Sequence, residues 1–411
     1  MHRATTAAVD TTVAAERAAI VARLIRLTND WTLAEDCVQD AIERALLQWP
    51  REGIPRSPAA WLTTVARHRA LDMLRRRQNE QTKLQQLAIM QEPDVTLGPH
   101  DPMSDDRLRL IFTCCHPAIA LDNRVALTLK TVAGLSTTEI ARALLVSEST
   151  LSQRLLRTKQ KIANAAIPYR VPPDELLAER MGGVLAVLYL IFNEGYRQPD
   201  DHLATEARRL SSLLVELMPN EDEVRALLAL ITLQLSRRAT RFDPAGDLVP
   251  IEEQDRRRWD EALIDEGREH LRRATASRRP PGPYRLQAQI AACHATATDT
   301  RTTPWSTIVT LYDALLVAQP SPVIMLNRAI AIGFRDGYRA GLVELEALDP
   351  SSSLAGYYLL PAARADFLRR LHRHDEARRA YETAARLAPA DGPEQRLLQR
   401  RLTELTAPRE M

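Results

Sequence analysis

Residues 148–162 carry polar side chains whose chemistry suits a DNA groove. At about 100° per residue, Leu151, Leu155 and Ile162 fall on one side of a helix. The other side presents groups that can hydrogen-bond base edges and phosphates. These groups belong to Ser149, Thr150, Gln153, Arg154, Arg157 and Lys161. The pattern favours a recognition helix, and an amphipathic hairpin with a solvated basic face is the alternative.

The residues just before this helix have the signals of a helix and a turn. Ser136 followed by Glu139 is a capping box, which predicts the start of a helix. Leu145 and Val146 then form a short turn, and Ser147 can cap the next helix. A helix, a turn and a second helix with a polar outer face are typical of helix–turn–helix DNA binding.

A second basic cluster lies between residues 58 and 77. Leu62, Ala66, Ala70 and Met73 are spaced as the inner stripe of a helix. The surrounding charged side chains are Arg67, His68, Arg69, Arg75, Arg76 and Arg77, with Asp72 as the single acid. This cluster predicts phosphate binding. A solvated helix end is the alternative.

Residues 34–45 form an amphipathic pattern of the opposite charge. The polar residues Glu35, Asp36, Gln39 and Asp40 stand in the first turns of the predicted helix. Acids at this position complement the helix dipole. They can equally dock a basic protein surface, and the spacing alone leaves both interpretations open.

The elements that position these side chains are predicted to be helices throughout. Glycine is scarce, with 14 residues, and apolar residues recur at three- and four-residue spacing almost everywhere. The chain therefore reads as all-α, with proline-rich stretches between its helical blocks. The predicted segments are a helical domain over 1–80, a linker over 81–107, a helix–turn–helix domain over 108–166, and a helical extension over 174–411.

The extension ends in a pattern typical of a helix pair. Residues 362–371 predict one helix, 372–375 a polar turn, and 376–389 a second helix closed by a proline. Small alanines at the crossing fit a tetratricopeptide-like unit, which needs neighbouring pairs to bury its faces. An ordinary helical hairpin is the alternative.

Composition excludes several classes of protein. The chain has 411 residues, of which 45% are hydrophobic and 26% charged, so it is not a largely disordered chain. A net charge of +2 excludes a protein whose whole surface is basic. Four cysteines suit a reducing compartment, and the longest apolar run, 184–192, is too short to span a bilayer. We therefore expect a cytoplasmic protein without a secretory signal.

Two further stretches contain residues that could form a metal site or line a pocket, but we favour a structural role for both. Cys114, Cys115 and His116 are adjacent, which is poor spacing for one tetrahedral ion, so buried thiols are expected rather than zinc. Residues 193–196 could line a pocket, but a helix ending at Gly195 is favoured. With no P-loop, dinucleotide fingerprint or nucleophile elbow, we expect no cofactor and no enzyme.

Three of these motifs, in this order, resemble one family. Residues 34–40 resemble region 2.2 of the extracytoplasmic-function (group 4) sigma factors of bacterial RNA polymerase. Residues 58–77 resemble regions 2.3 and 2.4, and residues 134–155 resemble region 4.2. The stretches 105–117, 188–196 and 322–329 resemble the subgroup with a long, tetratricopeptide-like C-terminal extension.

The resemblance implies partners and roles. It implies binding to the RNA polymerase core, at the β′ clamp and the β flap, and to promoter DNA. The clamp residues would be Glu35, Asp36, Gln39 and Asp40, and the −10 residues Arg67, His68, Arg75 and Arg76. The −35 residues would be the six polar side chains of 148–162. Apart from the resemblance, stacked helix pairs in the extension would offer a concave surface suited to a regulatory protein or ligand, and no membrane partner is expected.

Two other functions remain open at this stage. One is a plain DNA-binding regulator that carries a sensory helical domain. The other is a repeat scaffold without a DNA role. Promoter-specific initiation with the polymerase core would distinguish the sigma factor from both.

Overall fold

The structure is a computed structural model, and the residues that it describes form helices joined by loops, of which the longest described one spans residues 242–260. Its described residues contain nineteen α-helices and no strand, so the predicted all-α class is confirmed. The chain divides into two compact units, Met1–Gly195 and Tyr196–Met411. The described residues are 2–85, 106–144, 146–197, 202–277, 279–348, 354, 356–390 and 392–406.

The first unit begins with three long helices that pack on one another. The N-cap Asp30 accepts a hydrogen bond from the Leu33 backbone and starts the second helix. That helix buries Ala34, Val38 and Ala41 against its neighbours. The three helices are α1 (His2–Thr28), α2 (Trp31–Glu52) and α3 (Pro58–Gln85).

The predicted helix–turn–helix follows in the same unit. The Ser136 hydroxyl accepts from the Glu139 backbone N–H, and the Glu139 carboxylate accepts from the Ser136 N–H, which confirms the capping box. Ser147 caps the next helix through the Thr150 N–H, as predicted. Leu145, in the predicted turn, lies outside the described residues. The helices are α4 (Asp106–Cys114), α5 (Leu121–Thr128), α6 (Thr137–Ala143) and α7 (Glu148–Asn164), with a π-helical turn at Leu129–Ala133.

The next helix, α8 (Asp174–Arg197), contains the long apolar run. Val184, Leu188 and Ile191 in that run are buried. The predicted helix end at Gly195 is wrong, because the helix continues through it to Arg197. The carbonyl of Tyr196 accepts a hydrogen bond from the Arg241 side chain, which supports the extra residues of the last turn.

The second unit is a succession of helices in which most consecutive members pack as neighbours. The helix over 222–235 is its most deeply buried element, since nearly every side chain from Val224 to Leu235 is buried. The first six helices are α9 (His202–Leu217), α10 (Asp222–Leu235), α11 (Arg238–Arg241), α12 (Glu261–Thr275), α13 (Pro283–Thr296) and α14 (Trp305–Ala318). The others are α15 (Pro322–Asp336), α16 (Tyr338–Glu346), α17 (Leu359–Arg370), α18 (His374–Leu387) and α19 (Pro393–Thr406).

The predicted C-terminal helix pair is confirmed as α17 and α18. The turn between them uses His372 in the left-handed region, with φ of 60°. In the pair upstream, α15 and α16 pack closely, because the Gly333 backbone lies where a Cβ on Gly341 would project, and the Phe367 ring of α17 fills the space beside both glycines. Small residues therefore allow successive helix pairs to approach, as tetratricopeptide-like stacking requires.

The four predicted segment boundaries stay predictions. Helix α3 extends beyond residue 80, and most of the predicted linker lies outside the described residues. In the part of the chain that the structure describes, every helix is too short or too polar to cross a bilayer.

Candidate nucleic-acid interface

Helix α7 presents the predicted polar face to solvent. Leu151, Leu155 and Ile162 are buried, as the helical projection predicts. Of the six polar residues on the other side, Arg154 is half-buried and the others are exposed. Since α7 packs on α5 and α6 through its apolar stripe, its outer face is available to a DNA groove.

The N-terminal turn of α7 holds three hydroxyl groups together. The Ser147 Oγ lies 3.0 Å from the Ser149 Oγ and 2.8 Å from the Thr150 Oγ1. Backbone N–H groups at a helix N-terminus attract anions such as phosphate. Ser149 and Thr150 therefore lie at a helix end whose chemistry suits an anion such as phosphate.

Helix α3 carries the predicted basic surface. Arg67, His68, Arg75 and Arg76 are all exposed. Arg75 approaches the Asp72 carboxylate at 3.8 Å, and both side chains are largely solvated. The side chain of Arg77 lies outside the described residues. The edge of Trp61 meets the Trp49 ring, with 5.5 Å between ring centroids, so that α3 packs on α2 behind this surface.

The four predicted clamp residues of α2 have different surroundings. Asp36 and Gln39 are exposed, whereas the Asp40 carboxylate accepts a hydrogen bond from the Arg69 Nε at 2.7 Å. Helix α2 begins at Trp31, so these acids lie beyond its first turn. The helix dipole acts most strongly within that first turn. Desolvation raises the pKa of Asp36, and the charge of Lys159 opposes that rise.

Glu35, the fourth predicted clamp residue, is held inside the first unit. Its Oε2 lies 2.7 Å from the Lys159 Nζ, and its Oε1 accepts a hydrogen bond from the Thr131 Oγ1 at 2.9 Å. The Glu35 and Lys159 side chains are only 11% and 15% exposed. Sequence reasoning missed Lys159 and Thr131, since no local signal indicates a pairing over 124 residues.

Two further contacts join α1 and α2 to residues on either side of the helix–turn–helix. The Arg17 Nη1 donates to the carbonyls of Lys130 and Thr131, at 3.2 and 3.1 Å, and burial lowers the pKa of Arg17. The Tyr169 hydroxyl donates to the Ala22 carbonyl at 3.1 Å, and its ring meets Trp31 edge-on. The predicted clamp helix and the predicted DNA-reading helix are therefore parts of one packed body.

The adjacent thiols lie in the core of the first unit, as expected. Cys114 and Cys115 are buried, and burial raises the pKa of Cys115 to about 11. The His116 Nδ1 accepts a hydrogen bond from the Ala118 N–H at 3.2 Å. The described residues bring together no group of three His, Cys, Asp or Glu side chains that could hold a metal ion.

Family models match three parts of the chain. Residues 12–80 match Sigma-70 region 2, and residues 109–162 match Sigma-70, region 4. Residues 180–275 match a family of unknown function (DUF6596). The two sigma matches contain the acidic helix α2 and most of the basic helix α3 and the capped helix α7.

Two relatives extend this comparison. An uncharacterized protein of Rhizobium meliloti is 41% identical over 394 residues, which is 92% of each chain. A probable ECF RNA polymerase sigma factor, SigI of Mycobacterium tuberculosis, is 29% identical over 165 residues, which is 39% of this chain and 56% of that protein. The chain belongs to the sigma-70 family, in a form that carries a long C-terminal helical extension. The Rhizobium protein is similar to it over nearly the whole length, extension included.

Proposed function

We propose that this chain binds the RNA polymerase core and directs initiation at its own class of promoter. The observation that carries this proposal is the exposed polar face of α7. Helices α6 and α7 both begin at capped N-termini, and both lie in the segment that matches sigma region 4. The basic face of α3, in the region 2 match, supplies a second nucleic-acid surface on the same chain.

The proposed roles follow the two surfaces and the acidic helix. The face of α7 reads the −35 duplex through base edges and phosphates. The basic face of α3 captures the −10 element, and α2 docks the clamp. The −35 set is Ser149, Thr150, Gln153, Arg154, Arg157 and Lys161, the −10 set is Arg67, His68, Arg75 and Arg76, and the clamp set is Glu35, Asp36, Gln39 and Asp40.

The packed first unit is, in this proposal, the state of the protein before it meets the polymerase. The −10 and −35 elements are separate segments of promoter DNA, so one sigma factor reads both only when its two binding regions separate. Lys159 forms an ion pair with the Glu35 carboxylate. While this pair is intact, α2 cannot offer the carboxylate to a basic clamp surface. Core binding would replace Lys159 with cations of the polymerase.

The extension is proposed to regulate this activity. It contains more than half of the chain and has hydrophobic clusters of its own, for example around Leu326, Leu345 and Phe367. Stacked helix pairs offer concave surfaces suited to a ligand or a protein. No function is proposed for it other than binding and control.

Transcription in vitro tests the main proposal. The full chain is added to core polymerase with a library of promoter fragments, and specific initiation is measured. Initiation that requires both the chain and the core supports the sigma factor. Sequence-specific duplex binding without core-dependent initiation would favour a plain DNA-binding regulator. Absence of both activities would favour a repeat scaffold.

A further inference from the structure

Around Tyr196 and His294 of the second unit lie Arg237, Arg241 and Arg256, and Arg238 also donates to the Tyr196 carbonyl, at 3.4 Å. The Arg237 Nε donates to the Tyr196 hydroxyl at 2.7 Å. The Cζ of Arg241 lies 4.0 Å from the centroid of the same tyrosine ring, and its Nε donates to the Tyr196 carbonyl at 3.1 Å. The guanidinium groups of Arg237 and Arg241 therefore both contact the Tyr196 side chain.

The third arginine is fixed by neutral groups as well. The Nη1 of Arg256 donates to the carbonyls of His294 and Ala297, each at 3.0 Å, and its Nη2 donates to the Thr303 hydroxyl at 3.3 Å. These acceptors hold the guanidinium in place but carry no formal charge. Within the described residues, Arg237, Arg241 and Arg256 form no ion pair with a carboxylate.

Other half-buried arginines of this unit, such as Arg370, form ion pairs with carboxylates. Arg370 binds the Asp366 and Glu252 carboxylates, each at 2.6 Å, and these partners raise its pKa despite the burial. In contrast, desolvation lowers the pKa of Arg241 and of Arg256. A buried charge without an ion-paired carboxylate costs free energy, so the cluster around Tyr196 differs from the Arg370 site of the same unit.

Two acids act on this cluster, and both have other partners. Glu394 lies 3.7 Å from the Arg197 Nε and only weakly offsets the charge of Arg241. Asp299 accepts hydrogen bonds from the backbone N–H groups of Arg301 and Thr302. Neither carboxylate forms an ion pair with Arg237, Arg241 or Arg256, although the charge of Asp299 opposes the lowering of the Arg256 pKa by burial.

His294 adds a buried polar atom without a partner. Its Nδ1 is buried, and no described residue hydrogen-bonds to it. Its ring meets Trp305 edge-on at 5.4 Å between centroids. Burial, followed by the charges of Arg237 and Arg256, lowers the pKa of His294 to about 3, so the ring is neutral and can donate one N–H.

We propose that Arg237, Arg256 and His294 form a binding site for a phosphate-bearing small molecule, with Arg241 adding positive charge. Guanidinium groups bind phosphate oxygens through charge-assisted, bidentate hydrogen bonds. A bound dianion supplies the missing counter-charge and an acceptor for the His294 N–H. The site lies within the second unit and rests on its contacts alone, independently of promoter recognition. It deepens the proposed regulatory role by giving the extension a ligand class.

Thermal unfolding of the full chain with inorganic pyrophosphate tests this site. At constant ionic strength, pyrophosphate should raise the melting temperature of the second unit in a saturable way. The Arg237→Gln variant should bind at least about tenfold more weakly, because it loses charge-assisted hydrogen bonds. Arg257→Gln is the matched control, since Arg257 is exposed and paired with Asp255. Citrate tests whether any polyanion suffices.

A second measurement avoids the risk that Arg237→Gln fails to fold. In the unmodified chain, pyrophosphate should shift the NMR resonances of the His294 ring, while the exposed His372 ring stays unchanged. Saturable stabilisation with this shift, lost in Arg237→Gln and kept in Arg257→Gln, supports the site. No saturable effect, an equal effect in both variants, or a response to citrate alone would overturn it. Each result is obtained without polymerase or promoter, so it is separate from the sigma-factor assay.

Discussion

The Lys159 Nζ lies 2.7 Å from the Glu35 Oε2, and this pair joins helix α7 to helix α2. Both side chains are largely removed from water, and the Thr131 hydroxyl satisfies the second carboxylate oxygen. A well-satisfied pair of this kind fixes a geometry more than it adds net stability. Loss of one partner is costly, because the other charge stays desolvated.

Replacement of Lys159 by Met should therefore open the first unit. Glu35 would lose its counter-charge, and we expect the free energy of unfolding to fall by about 1–3 kcal/mol. Affinity for core polymerase should rise, since the competitor for Glu35 is gone. Chemical denaturation and core titration measure the two effects, and fluorescence transfer between labels at the exposed Gln48 and Gln160 reports the separation of α2 from α7.

Lys161→Met provides the control for this variant. Lys161 is on the same helix but exposed, so its loss should leave stability and core affinity unchanged. If Lys159→Met and Lys161→Met show the same label separation and the same core affinity, the pair does not hold the unit closed.

Reversal of charge at Asp36 should abolish binding to the core. Asp36 is exposed, whereas Asp40 is bound to Arg69, so Asp36 offers the cleaner single test of the proposed clamp surface. In Asp36→Arg, like charges would meet at the interface, and a pull-down with core should fail. Asp265→Arg, an exposed acid of α12, makes the same charge change elsewhere and should bind normally. Undiminished binding by a folded Asp36→Arg protein would contradict the assignment.

Truncation of Arg157 tests the reading of the −35 element. Arg157 is exposed on α7, and a bidentate contact to a base is worth about 1–3 kcal/mol. Arg157→Ala should weaken promoter binding by that amount while unfolding and core affinity stay the same. Arg268→Ala removes an exposed arginine of α12 and should have no effect. Equal promoter binding by both variants would remove Arg157 from the reading set.

Local features of this fold could be predicted from the sequence because they depend on neighbouring residues. The capping box of Ser136 and Glu139 involves residues three positions apart, and the cap by Ser147 reaches only to Thr150. The inner stripes of α3 and α7 follow from helical periodicity in the same way. These signals were sufficient to place the candidate DNA-reading face on one side of α7.

Features set by distant contacts could not be predicted. Glycine at 195 is a reasonable helix end by propensity, but side chains from residues 237 and 241 hold Tyr196 and the helix continues. The same holds for Glu35, whose partners on α7 and in the π-helical turn are fixed by tertiary packing alone. A motif shows which side chains are polar. Only the folded structure shows which of them are already paired with other side chains of the chain.

Shortening of the chain should distinguish structural support from regulation. A chain that ends at Arg170 keeps every proposed DNA and clamp residue but lacks α8. The Arg180 Nη2 on α8 donates to the Phe112 carbonyl at 2.8 Å, and Gly183 lies beside the Cys115 carbonyl, so α8 belongs to the packing of the first unit. We expect this short chain to unfold at a lower temperature than a chain that ends at Arg197.

The chain that ends at Arg197 therefore gives the fair test of the extension. It keeps α8 and removes α9 to α19, so a change in its promoter output reports regulation rather than collapse of the first unit. If the extension controls activity, this chain should initiate transcription at a rate different from that of the full chain, with circular dichroism showing that its helices remain folded. Identical output of the two chains in the core-dependent assay would show that the extension acts as an independent module. Because the Arg170 and Arg197 chains differ only by residues 171–197, the contribution of α8 is measured directly by their comparison.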